Sequence, residues 1–419
     1  MSSCVACQSE LSGPVAFFGN QLPSAIYNRT KSDMDFLKES SLDLTICCNK
    51  SCKLVQLCTP VDLSYVYQHY PYKTGTTATM SANLHEFAFT SVASLNLYPE
   101  DIILDIGGND GTLLSFFADT PYKLINIDAA NGIKQCFNSF NYIYKSSYFS
   151  EKSYKEITLQ PPRVIFSSAM FYQLIDVNQF CVDVKKIMST ETVFFLQMTY
   201  LDSMYANNIF DNVVHEHITY FSLYSLEHLL ARHGLRVFDA SVNQLYGGTL
   251  RVGIVRSESE MAPNVHNLSK IRVAEEQNST NTTSRLEDFG QSFKDWKISA
   301  RIFLDSYLKN GDSLVGFGAS TKGNMLLQAL GITSHEISFI IDNNEAKIGT
   351  WTTKTLIPIV GENEIKNIEQ TVLLMPYYYL DALAEVIGRY VPSGKFVEVL
   401  TLLPNPSSTL VLGTQTSNL

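Results

Sequence analysis

The chain has 419 residues, 45% hydrophobic and 17% charged, a composition that excludes a fibrous or largely disordered protein and suits two or three globular domains. Its formal net charge of −10 argues against nucleic acid and anionic lipid as partners. The first ten residues lack the basic and apolar regions of a signal peptide, and no apolar run reaches the roughly 18 residues that span a bilayer, so we expect a cytoplasmic protein with no membrane partner.

Cysteines are concentrated at the start of the chain, where six of the eight lie in the first 58 residues. In a reducing compartment they are not expected to form disulfides. Cys4 and Cys7 make one Cys-x-x-Cys pair, and Cys48 and Cys52 are the favoured second pair, although Cys47 could replace Cys48. Two short-spaced thiolate pairs suit one tetrahedral, structural Zn²⁺ ion. The alternative is a set of scattered reduced thiols.

A tyrosine-rich stretch, "YVYQHYPYKTGTTATM", follows the cysteines and contains Tyr65, Tyr67, Tyr70 and Tyr72. Clustered aromatic residues and glycine outside a helical pattern indicate a mobile or ligand-facing loop.

From about residue 85 the pattern becomes that of an α/β protein. Short apolar runs alternate with helical segments, as in "DIILDIGGNDGTLLSFFA", "KLINIDAA", "RVIFSSAMF" and "ETVFFLQMTYL", which predicts a doubly wound, mainly parallel sheet. A polar segment with a low-complexity Asn/Ser/Thr run interrupts this rhythm. The rhythm then resumes and predicts a second, smaller α/β unit.

The turn in "LDIGGNDGT" is the most informative local pattern. Asp105 ends a predicted strand, and glycines after it let the backbone turn tightly and approach a ligand. Asp128 closes the next strand, where a carboxylate can accept both hydroxyls of a ribose. The turn lacks the G-x-G-x-x-G dinucleotide fingerprint and instead suits S-adenosylmethionine (SAM), with a turn that binds no ligand as the alternative. We assign cofactor binding to Asp105, Gly107, Gly108, Asn109, Asp110, Gly111, Asp128 and Ser167.

A second glycine-rich turn, "VGFGASTKGN", gives a weaker signal. Gly316 and Gly318 follow a predicted strand, but Thr321 stands where a dinucleotide fingerprint has its third glycine. A nucleotide diphosphate would lie on the N–H groups of this turn with Lys322 beside it, and Asp342 ends the next strand. The alternative is an ordinary glycine-rich turn without a ligand.

The segment 209–222, "IFDNVVHEHITYFS", is called the HEH segment because it places His215, Glu216 and His217 side by side in apolar surroundings. Metal binding is disfavoured, since the spacing is not His-Glu-x-x-His and no other His or Cys cluster lies nearby in sequence. Packing alone does not require a charged glutamate between two imidazoles. Acid–base chemistry is therefore favoured over structural hydrogen bonding.

Six motifs in this order resemble the SAM-dependent C-methyltransferases that act on nucleotide-linked 4-keto deoxysugars. They are the paired cysteines with "CKLVQL", "YPYKTGTTATM", "DIGGNDGTLL", "HEHITYFSLYSLEHLLARHGL", "GGTLRV" and "GFGASTKGN" with "IDNNEAKIGT". The resemblance covers nearly the whole chain and implies an α/β protein. We expect a monomer or weak homodimer. Its expected parts are a zinc-binding domain (1–62), a SAM-binding class I methyltransferase domain (63–258), a helical or polar connector (259–310), a Rossmann-like substrate-binding domain (311–410) and a tail (411–419).

The resemblance also implies a reaction. A base removes the proton from a carbon next to a ketone, and the enolate attacks the methyl group of SAM, with His217 as the base. Glu216 would orient His217 or contact the substrate, and Tyr72 would close over both ligands. We group His215 with the catalytic residues. Substrate binding is assigned to Tyr220, Lys322, Asn324 and Asp342.

Three positions depart from the family pattern. Val214 stands where members usually carry Tyr, and Gln173 and Tyr246 stand where many carry His. A shifted acceptor is therefore an alternative, such as a non-sugar ketone or an oxygen or nitrogen nucleophile. Further alternatives are a SAM- or nucleotide-binding regulatory protein without turnover and an NAD(P)-dependent oxidoreductase that uses the second turn.

Overall fold

The computed structural model describes residues 3–28, 37–63, 66–67, 73–76, 78–130, 135–309, 313–368, 371–375 and 380–413. Within them the strands, in chain order, are β1 Asn20–Gln21, β2 Tyr27–Asn28, β3 Ser40–Ser41, β4 Leu44–Ile46, β5 Val55–Leu57, β6 Ile102–Ile106, β7 Lys123–Asp128, β8 Tyr142–Ser146, β9 Val164–Ser168, β10 Val193–Thr199, β11 Thr219–Tyr220, β12 Leu235–Asn243, β13 Thr249–Arg256, β14 Leu314–Phe317, β15 Ile337–Ile341, β16 Trp351–Thr352, β17 Ile359–Val360, β18 Val372–Leu374, β19 Phe396–Thr401 and β20 Ser407–Leu412.

The α-helices of the same residues are α1 Ala78–Val92, α2 Thr112–Ser115, α3 Glu151–Lys155, α4 Val177–Ile187, α5 Leu201–Ala206, α6 Leu223–Arg232, α7 Val265–Gln277, α8 Thr283–Leu308, α9 Thr321–Leu330 and α10 Leu380–Tyr390. Among these described helices, none combines the length and the hydropathy needed to cross a membrane.

The larger sheet has seven strands in the order β12-β13-β10-β9-β6-β7-β8. Strands β6 to β10 are parallel, and β13 runs antiparallel to both β10 and β12. Neighbouring residues of β6 face opposite layers, since Leu104 packs in the core that contains Phe180 of α4 and Ile103 in the core that contains Phe87 of α1. The chain leaves β6 on one side for β7 and later crosses to β9 on the other, which opens a crevice at the carboxyl ends of these strands.

A second sheet has six strands in the order β17-β15-β14-β18-β19-β20. All its neighbours are parallel except β20, which is antiparallel to β19. The two sheets confirm the predicted α/β class with a larger and a smaller Rossmann-like unit. Strand β20 ends at Leu412, two residues into the predicted tail 411–419. The domain bounds stay a prediction.

The N-terminal residues are tied into both larger units. Strand β5 pairs with β4 on one side and with β11, in the HEH segment, on the other. Strand β2 pairs with β16 in the C-terminal part of the chain. Beside it, Leu22 and Gln328 exchange hydrogen bonds of 3.0 and 3.1 Å through the backbone of Leu22. The predicted zinc-binding domain is therefore not self-contained.

The predicted connector 259–310 is more than a polar spacer, because its helix α8 has an apolar face. Phe293 of this helix stacks on Phe18 with ring centroids 4.2 Å apart. A Cβ added to Gly290 would stand 2.8 Å from the Cα of Ala16, so the helix packs directly on the N-terminal backbone. Helix α8 thus holds the N-terminal residues in the core.

Candidate active site

A cavity of about 760 Å³ lies where the crevice of the larger sheet meets the HEH segment and the second glycine-rich turn. This volume is typical of a site for small organic molecules. The predicted site residues that line it are Asp105, Gly107, Gly108, Asn109, Asp128, Glu216, His217, Lys322 and Asp342.

The turn after β6 is held in place by a hydrogen bond from its backbone to the residue that ends β7. Asn109 has a φ of 49°, and its N–H donates to Oδ2 of Asp128 over 2.9 Å. A Cβ added to Gly108 would stand 2.5 Å from Oδ2 of Asp105, so this position requires glycine. The other oxygen of Asp128 accepts from the N–H of Ala130 over 2.7 Å. Each of these oxygens keeps a second lone pair, which suits the hydroxyls of a ribose.

Asp105 is a buried carboxyl group in the wall of the cavity, with 2% of its surface exposed. Burial, and then the charges of Asp128 and Asp110, raise its pKa to about 8. The group is therefore mostly protonated at pH 7, and a cation beside it would favour the ionised form. This is suitable chemistry for receiving the ammonium group of an amino acid.

Residues 73–76, within the predicted ligand-facing loop, cover the turn through contacts that the sequence did not predict. The N–H of Thr74 donates to Oδ1 of Asn109 over 3.1 Å, and the N–H of Gly75 donates to Oδ2 of Asp110 over 3.0 Å. Asp110 therefore holds this segment in place and does not line the cavity, and its assignment to the cofactor stays a prediction. Thr74 does line the cavity, and its position inside the tyrosine-rich stretch was the available signal.

The other predicted cofactor and loop residues lie away from the cavity lining or outside the described residues. Ser167 is fully buried, and its hydroxyl donates to the carbonyl of Ile106 over 3.0 Å, whereas its neighbour Ser168 lines the cavity. Gly111, with a φ of 82°, turns the chain into α2 and does not line the cavity. Tyr72 lies outside the described residues.

His217 is the imidazole that faces the cavity. It is 7% exposed, and the ring of Tyr172 packs edge-on against it with centroids 4.3 Å apart. Its Nδ1 lies 2.7 Å from the carbonyl oxygen of Asn212, which can only accept, so Nδ1 carries the proton of the neutral ring and Nε2 keeps a lone pair. Burial, and then the charge of Lys322, lower the pKa of His217 to about 3. The ring is therefore neutral at physiological pH.

Glu216 lines the same cavity and is 2% exposed. Its Oε1 accepts from the N–H of Ala25 over 3.0 Å, and its carbonyl accepts from the hydroxyl of Tyr67 over 3.3 Å. Burial raises the pKa of its carboxyl group to about 7. At neutral pH this group is shared between the protonated and ionised forms and can either donate or accept.

Three other predicted residues are structural and do not line the cavity. His215 is fully buried, with Nε2 3.2 Å from the carbonyl oxygen of Ser40, and burial lowers its pKa to about 4. Tyr220 is fully buried in β11 within a hydrophobic core. Asn324 is 1% exposed and donates to the carbonyl of Ser24 over 3.4 Å. Their assignments to catalysis and substrate binding stay predictions, although each side chain lies outside the cavity lining.

The second glycine-rich turn forms the opposite wall of the cavity. Oδ2 of Asp342 accepts from the N–H of Ala319 over 2.8 Å, and the Nζ of Lys347 lies 3.4 Å from the same oxygen. Lys347 also donates to the carbonyl of Ala319 over 2.8 Å, as does the hydroxyl of Tyr27 over 2.7 Å. Lys347 and Tyr27 line the cavity but were not predicted. Tyr27 lies 292 residues before Ala319, so no local pattern could reveal it.

All three departures from the family pattern line the cavity. Val214 offers only apolar surface there, and the side-chain amide of Gln173 donates to the carbonyl of Ala169 over 3.1 Å. Tyr246 has a φ of 52°, and the Nζ of Lys322 lies 5.0 Å from the centroid of its ring. The polar character of this wall thus differs from the one that the family pattern implies.

The N-terminal cysteines converge as a group of four. The sulfurs of Cys4, Cys7, Cys47 and Cys52 all lie within 4.8 Å of one another, with Cys4–Cys52 at 3.7 Å and Cys7–Cys47 at 3.4 Å. Four sulfurs bound tetrahedrally at about 2.3 Å from Zn²⁺ would be roughly 3.8 Å apart, so this group fits the ion. Cys48 is exposed and outside the group, which corrects its choice over Cys47.

Two family models match adjacent parts of the chain. Residues 73–240 match the model described as a methyltransferase domain, and residues 244–400 match the C-methyltransferase C-terminal domain. The chain is also similar to the C-methyltransferase NovU of Streptomyces niveus, with 26% identity over 343 residues that cover 81% of this chain and 79% of that protein.

Solved methyltransferase structures resemble part of the chain. A chain from the complex of the Haloferax volcanii Trm112 methyltransferase activator with a methyltransferase is 13% identical and has a TM-score of 0.35, with 43% of this chain and 94% of that chain covered. The plantazolicin methyltransferase BpumL in complex with SAH is 15% identical and has a TM-score of 0.34, with 42% and 84% covered. At such identities and TM-scores these likenesses carry no argument about this chain.

Proposed function

The chain belongs to a family of SAM-dependent C-methyltransferases, and from that premise we propose that it methylates a carbon next to the ketone of a nucleotide-linked 4-keto deoxysugar. The observation that carries this proposal is the position of His217. Its ring lines the same cavity as the turn after β6, and the hydrogen bond to Asn212 leaves Nε2 able to accept a proton. A neutral imidazole beside a methyl-donor site suits the removal of a proton from carbon.

The cofactor site uses the residues after β6 and β7. Asp105 would meet the ammonium group of SAM, and the oxygens of Asp128 would accept from its ribose hydroxyls. The backbone of Gly107, Gly108 and Asn109 completes this part of the wall. When bound, SAM supplies an electrophilic methyl group to the cavity.

His217 begins the reaction as the base. Its Nε2 takes the proton from the substrate carbon, and the two electrons of the C–H bond form the enolate. The imidazolium and the enolate are then opposite charges in one poorly hydrated cavity, which offsets the burial that lowers the pKa of His217. The enolate carbon takes the methyl group and the ketone forms again, so His217 retains the proton until it is lost to solvent.

Glu216 positions the substrate in this proposal. Its Oε1 is held by the N–H of Ala25, and a carboxyl group with a pKa of about 7 can donate to or accept from a sugar hydroxyl. The nucleotide diphosphate would lie along the second glycine-rich turn, where Lys347 supplies positive charge and Asp342 orders the backbone.

A structural Zn²⁺ ion bound by Cys4, Cys7, Cys47 and Cys52 belongs to the same proposal. The ion would cross-link the ends of an N-terminal segment whose strand β5 pairs with the HEH segment. Its contribution would therefore be to the stability of the cavity wall and not to the chemistry.

The alternative is methylation of another acceptor, a non-sugar ketone or an oxygen or nitrogen nucleophile. It is favoured by Val214, Gln173 and Tyr246, which all line the cavity and differ from the family pattern.

The test uses purified protein, methyl-deuterated SAM and a panel of dTDP-, GDP-, CDP- and UDP-linked 4-keto deoxysugars, with mass spectrometry of the products. We expect one labelled methyl group on a sugar carbon, and its loss with His217→Gln. Hydrogen–deuterium exchange at that carbon without SAM distinguishes the reaction types, because only a route through an enolate exchanges this proton. Inactivity across the panel with SAM still bound would contradict the sugar substrate and direct the search to non-sugar ketones.

A further inference from the structure

A base alone does not complete this chemistry, because the negative charge of an enolate resides mainly on oxygen and needs a donor beside it. Val214, which precedes His215 in the HEH segment, is apolar, and one of the two N–H groups of the Gln173 amide donates to the carbonyl of Ala169. Lys322 was assigned to the diphosphate from its sequence position alone. The structure indicates another role for it.

Lys322 and His217 are placed by the same small turn. Helix α9, which carries Lys322, packs on the 3-10 turn Phe210–Asn212, and the Asn212 carbonyl of that turn holds His217. Asp211, the middle residue of the turn, is fully buried, and its charge raises the pKa of Lys322 against the larger lowering effect of burial. Asn212 of this turn therefore orients the imidazole of His217, and Asp211 acts on the ammonium group of Lys322.

The ammonium group lies on the methyltransferase side of the cavity. Lys322 lines the cavity, and its Nζ lies 5.0 Å from the ring centroid of Tyr246, which belongs to the loop between β12 and β13. Tyr246 has a φ of 52° and precedes Gly247 and Gly248, with φ of 85° and 134°, so the backbone is bent to hold this ring in place. The charge of Lys322 also acts on His217 directly, since it lowers the pKa of the imidazole.

We propose that Lys322 donates a hydrogen bond to the ketone oxygen of the substrate and stabilises the enolate that His217 creates. This inference rests on the proposed function. As Nε2 of His217 takes the carbon-bound proton, the C–H electrons move into the C–C bond and the carbonyl electrons onto oxygen, where the N–H of Lys322 meets the new charge. After methyl transfer the ketone is restored, and Lys322 has exchanged no proton.

This role distinguishes Lys322 from Lys347, which lines the same cavity. Lys347 lies at the second glycine-rich turn, against Asp342 and the Ala319 carbonyl, and is left as the cation for the diphosphate. Loss of an enolate stabiliser lowers the turnover of bound substrate, whereas loss of a diphosphate contact weakens substrate binding.

The test compares Lys322→Met with Lys322→Arg, Lys347→Met and the control Lys123→Met. Lys123 begins β7 at the end remote from the cavity and pairs with Glu100 at the surface. For Lys322→Met we expect kcat and the exchange rate of the substrate carbon without SAM to fall by about 100-fold to 1000-fold, with little change in the affinity for SAM or for nucleoside diphosphate. Lys322→Arg should recover part of this loss, and Lys347→Met should raise KM more than it lowers kcat.

Histidine NMR provides a readout that does not require turnover. Lys322→Met should raise the pKa of His217, and Lys123→Met should leave it unchanged. The inference is overturned if Lys322→Met keeps its exchange rate and kcat but loses nucleotide affinity, or if the pKa of His217 does not move. An inactive wild-type protein would overturn the proposed function, and this inference with it, whereas an active wild type with an equally active Lys322→Met would overturn the inference alone.

Discussion

The carbonyl oxygen of Asn212 lies 2.7 Å from Nδ1 of His217, and this contact decides which nitrogen of the ring can act as a base. A carbonyl cannot donate, so the proton of the neutral imidazole stays on Nδ1. The base is thus prepared by the backbone of a residue five positions earlier in the chain. His215, two positions before His217, has its Nε2 near the carbonyl of Ser40 instead and faces away from the cavity.

The two histidines should therefore respond differently to the same change. We expect His217→Gln to lower methyl transfer by about 100-fold to 10,000-fold while SAM still binds, because only the proton acceptor is lost. His215→Gln should keep most of its activity and lose about 1–2 kcal/mol of unfolding free energy through its buried contact. Initial rates and urea unfolding check both. An active His217→Gln, or a folded but inactive His215→Gln, would contradict the assignment.

Binding of SAM should release a proton. The pKa of Asp105 is raised to about 8, so the group is mostly protonated at pH 7, and a bound cation favours the ionised form. Isothermal titration calorimetry at pH 7 in buffers of different ionisation enthalpy should show release of close to one proton. Asp101→Asn, at the opposite end of β6, should preserve this release and Asp105→Asn should remove it. Binding heats that do not depend on the buffer would contradict the role of Asp105.

Zinc content should distinguish two adjacent cysteines. Cys47→Ser should lose the metal and unfold at a lower temperature, because its sulfur lies 3.4 Å from that of Cys7. Cys48→Ser should retain one zinc per chain, since Cys48 is exposed and outside the group. Metal analysis by inductively coupled plasma mass spectrometry decides the matter. Zinc lost from Cys48→Ser and kept in Cys47→Ser would reverse the assignment, and a wild-type protein without zinc would remove the ion from the proposal.

Titration of the Glu216 carboxyl group should lower the free energy of unfolding as the pH rises. Its pKa is about 7 when folded and 4.5 ordinarily, so between these values the folded protein holds a proton that the unfolded chain has lost. The contribution of this group to the unfolding free energy is complete below about pH 4.5, falls by up to about 3 kcal/mol towards pH 7, and is flat above it. Denaturant unfolding from pH 5 to 8 should show a shallower fall for Glu216→Gln than for the wild type. Parallel curves would show that Glu216 titrates normally.

The sequence was sufficient where function depends on a local pattern at the end of a strand. The turn that begins at Asp105 and the acid at Asp128 line one cavity because parallel strands bring their carboxyl ends to one edge. His217 reaches the same cavity from the HEH segment, and its role as the base stays a prediction. The α/β class followed from alternating strands and helices for the same reason.

Adjacent residues of one type were harder to choose between. Ser167 and Ser168, like Cys47 and Cys48, point in different directions at a strand end, and the choice depends on a register that the sequence does not show. The polar connector was underestimated because helix α8 buries only one face, so its average composition looks polar.

Long-range contacts account for the remaining errors. Lys347 and Tyr27 reach the cavity through partners that the fold brings together. A side chain assigned to substrate by its motif, Asn324, instead bonds to Ser24, which lies 300 residues earlier.

The pairing of β2 with β16 sets an order of events during synthesis. The hydroxyl of Thr353 donates to the carbonyl of Ile26, a partner 327 residues earlier, and at 5–20 residues per second the ribosome needs roughly 16–65 s to span that distance. During this interval the edge of β2 has no partner strand, and Tyr27 lacks the wall that it later supports. A nascent chain that has made the turn after β6 therefore still lacks the wall that Tyr27 and the second glycine-rich turn form, and the cavity is complete only when the second sheet has been made.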